Sequence, residues 1–179
     1  MDEAEKRHWR GLKRIRPVNP VVPGPGQESV WDYPRPPRVE PVHRPVRVEF
    51  GGHVLAASER ALRVCETSSP PVYYVPSEDV ATEWLEASDR RSSCEWKGTA
   101  HYWHARMGDR FVADVGWSYP QPDSGFEALR DHVAFYPGRV AACFVGDERV
   151  KAQAGDFYGG WITAEIVGPF KGDPGSEDW

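Results

Sequence analysis

Three short turns constrain this chain more than any other feature. Val46-Arg-Val-Glu-Phe50 runs into Gly51-Gly52 and leaves through Val54-Leu-Ala56. Residues 102–107 run into Gly108-Asp109 and leave through Phe111-Val-Ala113, and residues 140–145 run into Gly146-Asp147 and leave through Arg149-Val150. Glycine tolerates the positive φ of two-residue hairpin turns, so each stretch predicts a pair of antiparallel strands. Further strands are expected over residues 61–65 and 72–75. With 17 prolines and 17 glycines among 179 residues, there is little room for long helices. Two short ones are predicted. One covers 77–86, opened by Ser77 and early acids. The other covers 123–133, where Phe126, Leu129 and Val133 form one stripe. The expected fold is mainly β (α+β with few short helices), built from compact antiparallel sheets.

The ends read differently. Residues 1–27 are expected to be an arm. Lys6 to Arg16 is basic, and Pro17, Pro20, Pro23, Gly24, Pro25 and Gly26 then favour an extended linker. Residues 28–171 are expected to be one β-rich domain, with 172–179 as an acidic tail. Trp31 and Tyr33 open the domain as an ordered extended segment, sharing one face.

Composition narrows the function classes. The net charge of −5 argues against a protein built to coat nucleic acid, although the arm carries seven Lys, Arg or His within eleven residues. No apolar run approaches the ~20 residues of a membrane span. The charged first residues do not resemble a secretory leader, so a cytoplasmic location is expected. Cys65, Cys94 and Cys143 are widely separated and form no C-x-x-C pair. No metal and no cofactor is expected from such spacing. His101 and His104 would lie on opposite faces of a regular strand, so they do not form a metal pair.

Several stretches together resemble the domain of unknown function 427 family. These are Gly51-Gly52 with residues 58–64; Glu66-Thr67 with Pro70-Pro-Val-Tyr-Tyr-Val-Pro76; Cys94-Glu-Trp-Lys-Gly-Thr-Ala-His-Tyr-Trp103; Trp117-Ser-Tyr-Pro120; and Phe135-Tyr-Pro137. The likeness spans roughly residues 30–152, and residues 157–170 resemble an extension found in part of that family. The resemblance implies a compact β fold similar to the tent-like sheets of small zinc-binding domains, without their paired C-x-x-C knuckles. Members are sometimes labelled nucleotidyltransferases, but no Asp-x-Asp pair follows a Gly-Ser turn in this chain.

Three clusters carry chemistry. Glu66 is expected at a strand end near a tyrosine hydroxyl, where a carboxylate can orient an amine or act as a base. Tyr73 and Tyr74 face opposite ways in a strand, so only one joins any given site. Lys97, beside Gly98, suits a tight turn that presents an ammonium to an anion. Trp117 and Tyr119 fall on one face of an extended segment and form an aromatic wall, which Trp103 extends. Gly159-Gly160 marks a close backbone approach to a ligand, a second subunit or the domain's own sheet. The preferred reading is a small-molecule site formed by Glu66, Tyr74, Lys97, Trp103, Trp117 and Tyr119, with no reaction legible. The alternative is a non-catalytic homodimer in which Trp31 and Trp161 are buried by the partner.

Overall fold

All three glycine turns form hairpins. The computed structural model describes residues 1–176, so the last three residues of the expected acidic tail, 177–179, lie outside the described residues. In chain order the elements are α1 (Glu3–Gly11), β1 (Glu28–Ser29), β2 (Arg38–Pro41), β3 (Val46–Phe50), β4 (His53–Ser58), β5 (Leu62–Glu66), β6 (Ser69–Pro76) and β7 (Leu85–Cys94). They continue with β8 (Gly98–Met107), β9 (Arg110–Ser118), β10 (His132–Phe135), β11 (Ala142–Val145), β12 (Glu148–Arg149), β13 (Lys151–Ala152), β14 (Trp161–Ile162) and β15 (Ile166–Val167). Gly51, Gly52, Gly108 and Gly146 all take positive φ at the turns between β3 and β4, β8 and β9, and β11 and β12.

The architecture is mainly β. A seven-stranded antiparallel sheet runs in the order β2-β5-β6-β10-β9-β8-β7, and a four-stranded antiparallel sheet in the order β12-β11-β3-β4. Two small pairs complete it: antiparallel β13/β14 and, as an exception to the antiparallel rule, parallel β1/β15. One face of the large sheet packs on the small one through Val46, Val48, Phe50, Leu55, Val75, Val115, Val133 and Phe135. Its other face carries Tyr74, Tyr102, Trp117, Tyr119 and Tyr136. β9 carries a bulge. Trp103 pairs with Gly116 but Ala105 pairs with Val112, so β9 holds extra residues there, with Asp114 at φ 49°.

Neither predicted helix forms. Over 77–86 there are only two single-turn 3₁₀ segments, Ser77–Asp79 and Thr82–Trp84. The Ala81 N–H donates across to the Leu55 carbonyl at 2.8 Å, and Leu85 already begins the pairing of β7 with β8. Over 123–133, Gly125 and Asp131 take positive φ, and Val133 is claimed by pairing with Val75 on one side and Ser118 on the other. Cross-strand partners outcompete local helical hydrogen bonds in both places. The helix that does form, α1, lies in the stretch expected only to be a basic arm. Asp2 accepts from the Ala4 and Glu5 N–H groups, and Glu5 accepts from the Asp2 N–H, closing a capping box.

The tryptophans assigned to a partner interface are spent within the chain. Trp161 is fully buried, stacked on Tyr73 at 4.8 Å, and its Nε1 donates to the Phe135 carbonyl at 3.0 Å. Trp31 is buried with Val30, Tyr33, Cys65 and Ile166, and its Nε1 donates to the Pro169 carbonyl at 2.8 Å. Neither offers a surface for a second copy. The close approach marked by Gly159-Gly160 is to the chain's own sheet, since a Cβ on Gly159 would overlap the Trp117 ring. Among the described residues no helix is long and apolar enough to cross a membrane.

Candidate functional site

The aromatic face of the large sheet is not filled. A cavity of about 260 Å³ lies against it, floored by Tyr74, Ala100, Tyr102, Trp117, Tyr119 and Tyr136. Trp117 meets Tyr136 at 4.5 Å and Tyr74 edge-on at 6.3 Å, and Tyr119 tilts over Tyr74 at 6.4 Å. Strand parity explains the set. Tyr74 turns its side chain to this face while Tyr73 stacks on Trp161 in the other core.

Five of the six side chains singled out in the sequence line this cavity: Glu66, Tyr74, Lys97, Trp117 and Tyr119. Trp103 does not. It lies on the far face of β8, half-buried against the core between the sheets, with its Nε1 donating to the Ser118 hydroxyl at 3.0 Å. Its neighbour Tyr102 takes the expected place, with its hydroxyl hydrogen-bonded to that of Ser92 at 2.8 Å. Tyr102 pairs with Trp117 across the strands, and only that register decides which of two adjacent aromatics faces the cavity.

Lys97 sits in the tight turn joining β7 to β8, just ahead of Gly98 at φ 95°. It is only 9 % exposed, yet among the described residues no carboxylate lies within ion-pairing distance of its Nζ. Burial is the largest influence on it and disfavours the charged form. The Cys94 thiol, the Tyr74 hydroxyl and the Glu66 carboxylate act in the opposite sense and prevail, so the lysine is held above its ordinary value as an ammonium. Burial pushes Tyr74 up to about 12 and Tyr119 well above the usual tyrosine value, so both stay protonated at neutral pH. The Tyr119 hydroxyl makes no hydrogen bond to the protein among the described residues, and the side chain is 5 % exposed.

Glu66 already has a cationic partner. The buried Arg35 guanidinium holds it at 2.6 Å and holds Glu95 at 2.8 Å. Both carboxylates that line the cavity therefore share one guanidinium, and the trio keeps one net negative charge. Arg35 went unrecognised in the sequence because it lies within a Pro-rich segment, far along the chain from both partners.

The mouth is built from the two ends of the described chain. Trp9 and Arg14 come from α1 and the residues after it; Gln153, Phe157, Tyr158, Gly159 and Lys171 come from the C-terminal side. α1 is fastened by Lys6 to Asp123, by Arg10 Nε to the Glu95 carbonyl at 2.6 Å, and by Arg35 to the Trp9 carbonyl at 3.0 Å. The D-x-x-E spacing of Asp2 and Glu5 signals the helix, but nothing in the sequence signals that its end reaches the cavity.

Residues 38–146 match the family model described as a domain of unknown function (DUF427). No curated protein matches the chain. The matched stretch supplies the sheet, Glu66, Lys97 and the aromatic floor, whereas Arg14, Phe157, Tyr158 and Lys171 lie outside it. Since the match covers more than half of the sequence, the chain belongs to the DUF427 family.

Proposed function

We propose that this chain binds a small molecule in the cavity, gripped between Tyr74, Trp117 and Tyr119 and anchored by Lys97. One observation carries the reading: a buried ammonium with no carboxylate partner among the described residues opens into an aromatic-walled space. Removing an ammonium from water costs several kcal/mol. A fold that needed only stability would place an apolar side chain there, and departures of this kind concentrate at functional sites. The cavity is close to the ~300 Å³ lower end of small-molecule sites, with the expected mix of apolar wall and few polar groups.

A thermal-shift screen against nucleotides, amino acids, organic acids and cofactors tests this, with Lys97→Ala and Glu66→Ala in parallel. A ligand at about 100 times its Kd stabilises by about 2.7 kcal/mol, which raises the midpoint by several degrees for a chain of this size. The expected result is a shift that Lys97→Ala abolishes. A library that moves the wild type nowhere removes the reading.

A further inference from the structure

The charges around the cavity are unbalanced. Its two carboxylates, Glu66 and Glu95, share Arg35, and that trio leaves one net negative charge. Against them stand three cations that form no ion pair among the described residues: Lys97 in the floor, and Arg14 and Lys171 at the mouth. Arg14 also leaves its Nε buried without a partner. Like charges brought together in a half-buried mouth repel, and each disfavours the charged form of its neighbours. The Tyr119 hydroxyl faces the same space with its hydrogen uncommitted. These ammonium, guanidinium and hydroxyl groups can all donate to an acceptor-rich anion.

Shape narrows the class further. Tyr74, Trp117, Tyr119 and Tyr136 present ring faces and edges to a cavity of about 260 Å³, enough for one or two fused rings. The deepest cation is a lysine, a point charge, and the unpaired guanidinium that lines the cavity, Arg14, stands at the mouth rather than beside it.

Building on the binding reading above, we infer that the ligand is a planar aromatic carboxylate. Its rings lie against Trp117 and Tyr74, and its carboxylate accepts from Lys97 Nζ and the Tyr119 hydroxyl. Arg14 and Lys171 attract it to the mouth. Because those two residues lie outside the stretch matched by the family model, the selection at the mouth belongs to this chain's own terminal segments.

Calorimetric titration of the full chain with three probes of one shape decides the matter: naphthalene carboxylate, the neutral naphthalene carboxamide and the cationic naphthylmethylamine. The carboxylate is expected to bind at least tenfold more tightly than the amide, and the amine not measurably. Lys97→Met is expected to erase the preference, so that the carboxylate binds no more tightly than the amide. Tyr119→Phe, which keeps the ring and removes only the hydroxyl, reports the same preference if Lys97→Met fails to fold. Equal binding of all three probes, or preference for the amine, overturns the anion assignment and leaves the cavity as a binding site. Failure of all three to bind overturns the aromatic-carboxylate assignment, and the binding reading then stands or falls on the thermal-shift screen.

Discussion

The two faces of the seven-stranded sheet are built from the same strands and differ in nearly everything else. The face toward the four-stranded sheet is filled with Val48, Phe50, Leu55, Val75 and Phe135, each 0 % exposed, and its titratable members, Tyr73 and Cys143, are pushed up by burial and stay neutral. The other face is rich in tyrosine, is roofed by the terminal segments and holds a charged lysine beside an empty space. One face is packed for stability. The other gives up packing and solvation in exchange for a cavity, which supports the proposed binding role.

The difference is sharpest at Trp161. Trp161→Ala removes a fully buried indole, its stack on Tyr73 and the donor to the Phe135 carbonyl. The expected loss is about 3–5 kcal/mol, a fall of roughly 10 °C in the melting midpoint. The counterpart on the other face, Tyr119→Phe, should leave the midpoint of the free protein within about 0.5 kcal/mol, because the deleted hydroxyl has no protein partner among the described residues. Comparable losses from both substitutions would show that the two faces are packed alike.

Gly159 is where the roof meets the open face. Its backbone takes no positive φ, so adding a methyl group strains nothing local; the obstacle is the Trp117 ring. Gly159→Ala is therefore expected to cost about 1–3 kcal/mol by overpacking and to narrow the cavity. Trp117→Phe in the same chain should recover much of that cost. A double-mutant cycle in denaturant measures the coupling, and additive effects would mean that the roof does not rest on Trp117.

How much of this contrast was legible follows from what sets each part. The hairpins are local, and glycine turns announce them. The alternation of Tyr73 and Tyr74, and the shared face of Trp117 and Tyr119, are also local, so pattern reaches Trp117, Tyr119 and one of the two tyrosines, while Glu66 and Lys97 are marked by a strand end and a Lys-Gly turn. Trp103 was misplaced because its orientation depends on the register of β8 against a bulged β9, which is not a local property. The helices expected over 77–86 and 123–133 failed for a related reason, since pairing partners far along the chain claimed their backbones. β7 escaped notice because Ser88-Asp-Arg-Arg-Ser-Ser93 is polar; it lies at the edge of the sheet, where polar and charged residues discourage pairing with other chains. Arg35 acts through partners 31 and 60 residues away, and no spacing rule reaches so far.

The uncommitted hydroxyl gives a test in which stability and binding part company. Although Tyr119→Phe is expected to leave the free protein's midpoint unchanged, it should weaken naphthalene carboxylate about tenfold, since a hydrogen bond to a charged acceptor contributes about 1.5 kcal/mol or more. On the packed face Val48, Phe50, Leu55, Val75 and Phe135 are fully buried, so substitutions of these residues act on stability. An unchanged carboxylate affinity would place the anion away from Tyr119.

The smallest expected effect is on pH dependence, and it separates floor from mouth. Lys97 is held above its ordinary value, so its ammonium persists through and beyond the ordinary lysine pKa of about 10.4. Lys171 is lowered, first by burial and then by Arg14, so it loses its proton below that value. The sign for stability differs accordingly. The favourable interactions of Lys97 are fully present below its unfolded pKa and fade only as pH rises through the higher folded one. The cost of keeping Lys171 charged is present at neutral pH and is relieved as pH rises through its lowered folded pKa. For carboxylate binding, affinity should be flat near neutrality and then decline modestly just below the ordinary lysine range, as the mouth cation titrates while the floor cation does not. Lys171→Met should remove that early decline and leave the later one. An affinity profile unaffected by Lys171→Met would show that the mouth plays no part in selecting the anion, and that the contrast between the faces rests on Lys97 and the aromatic floor alone.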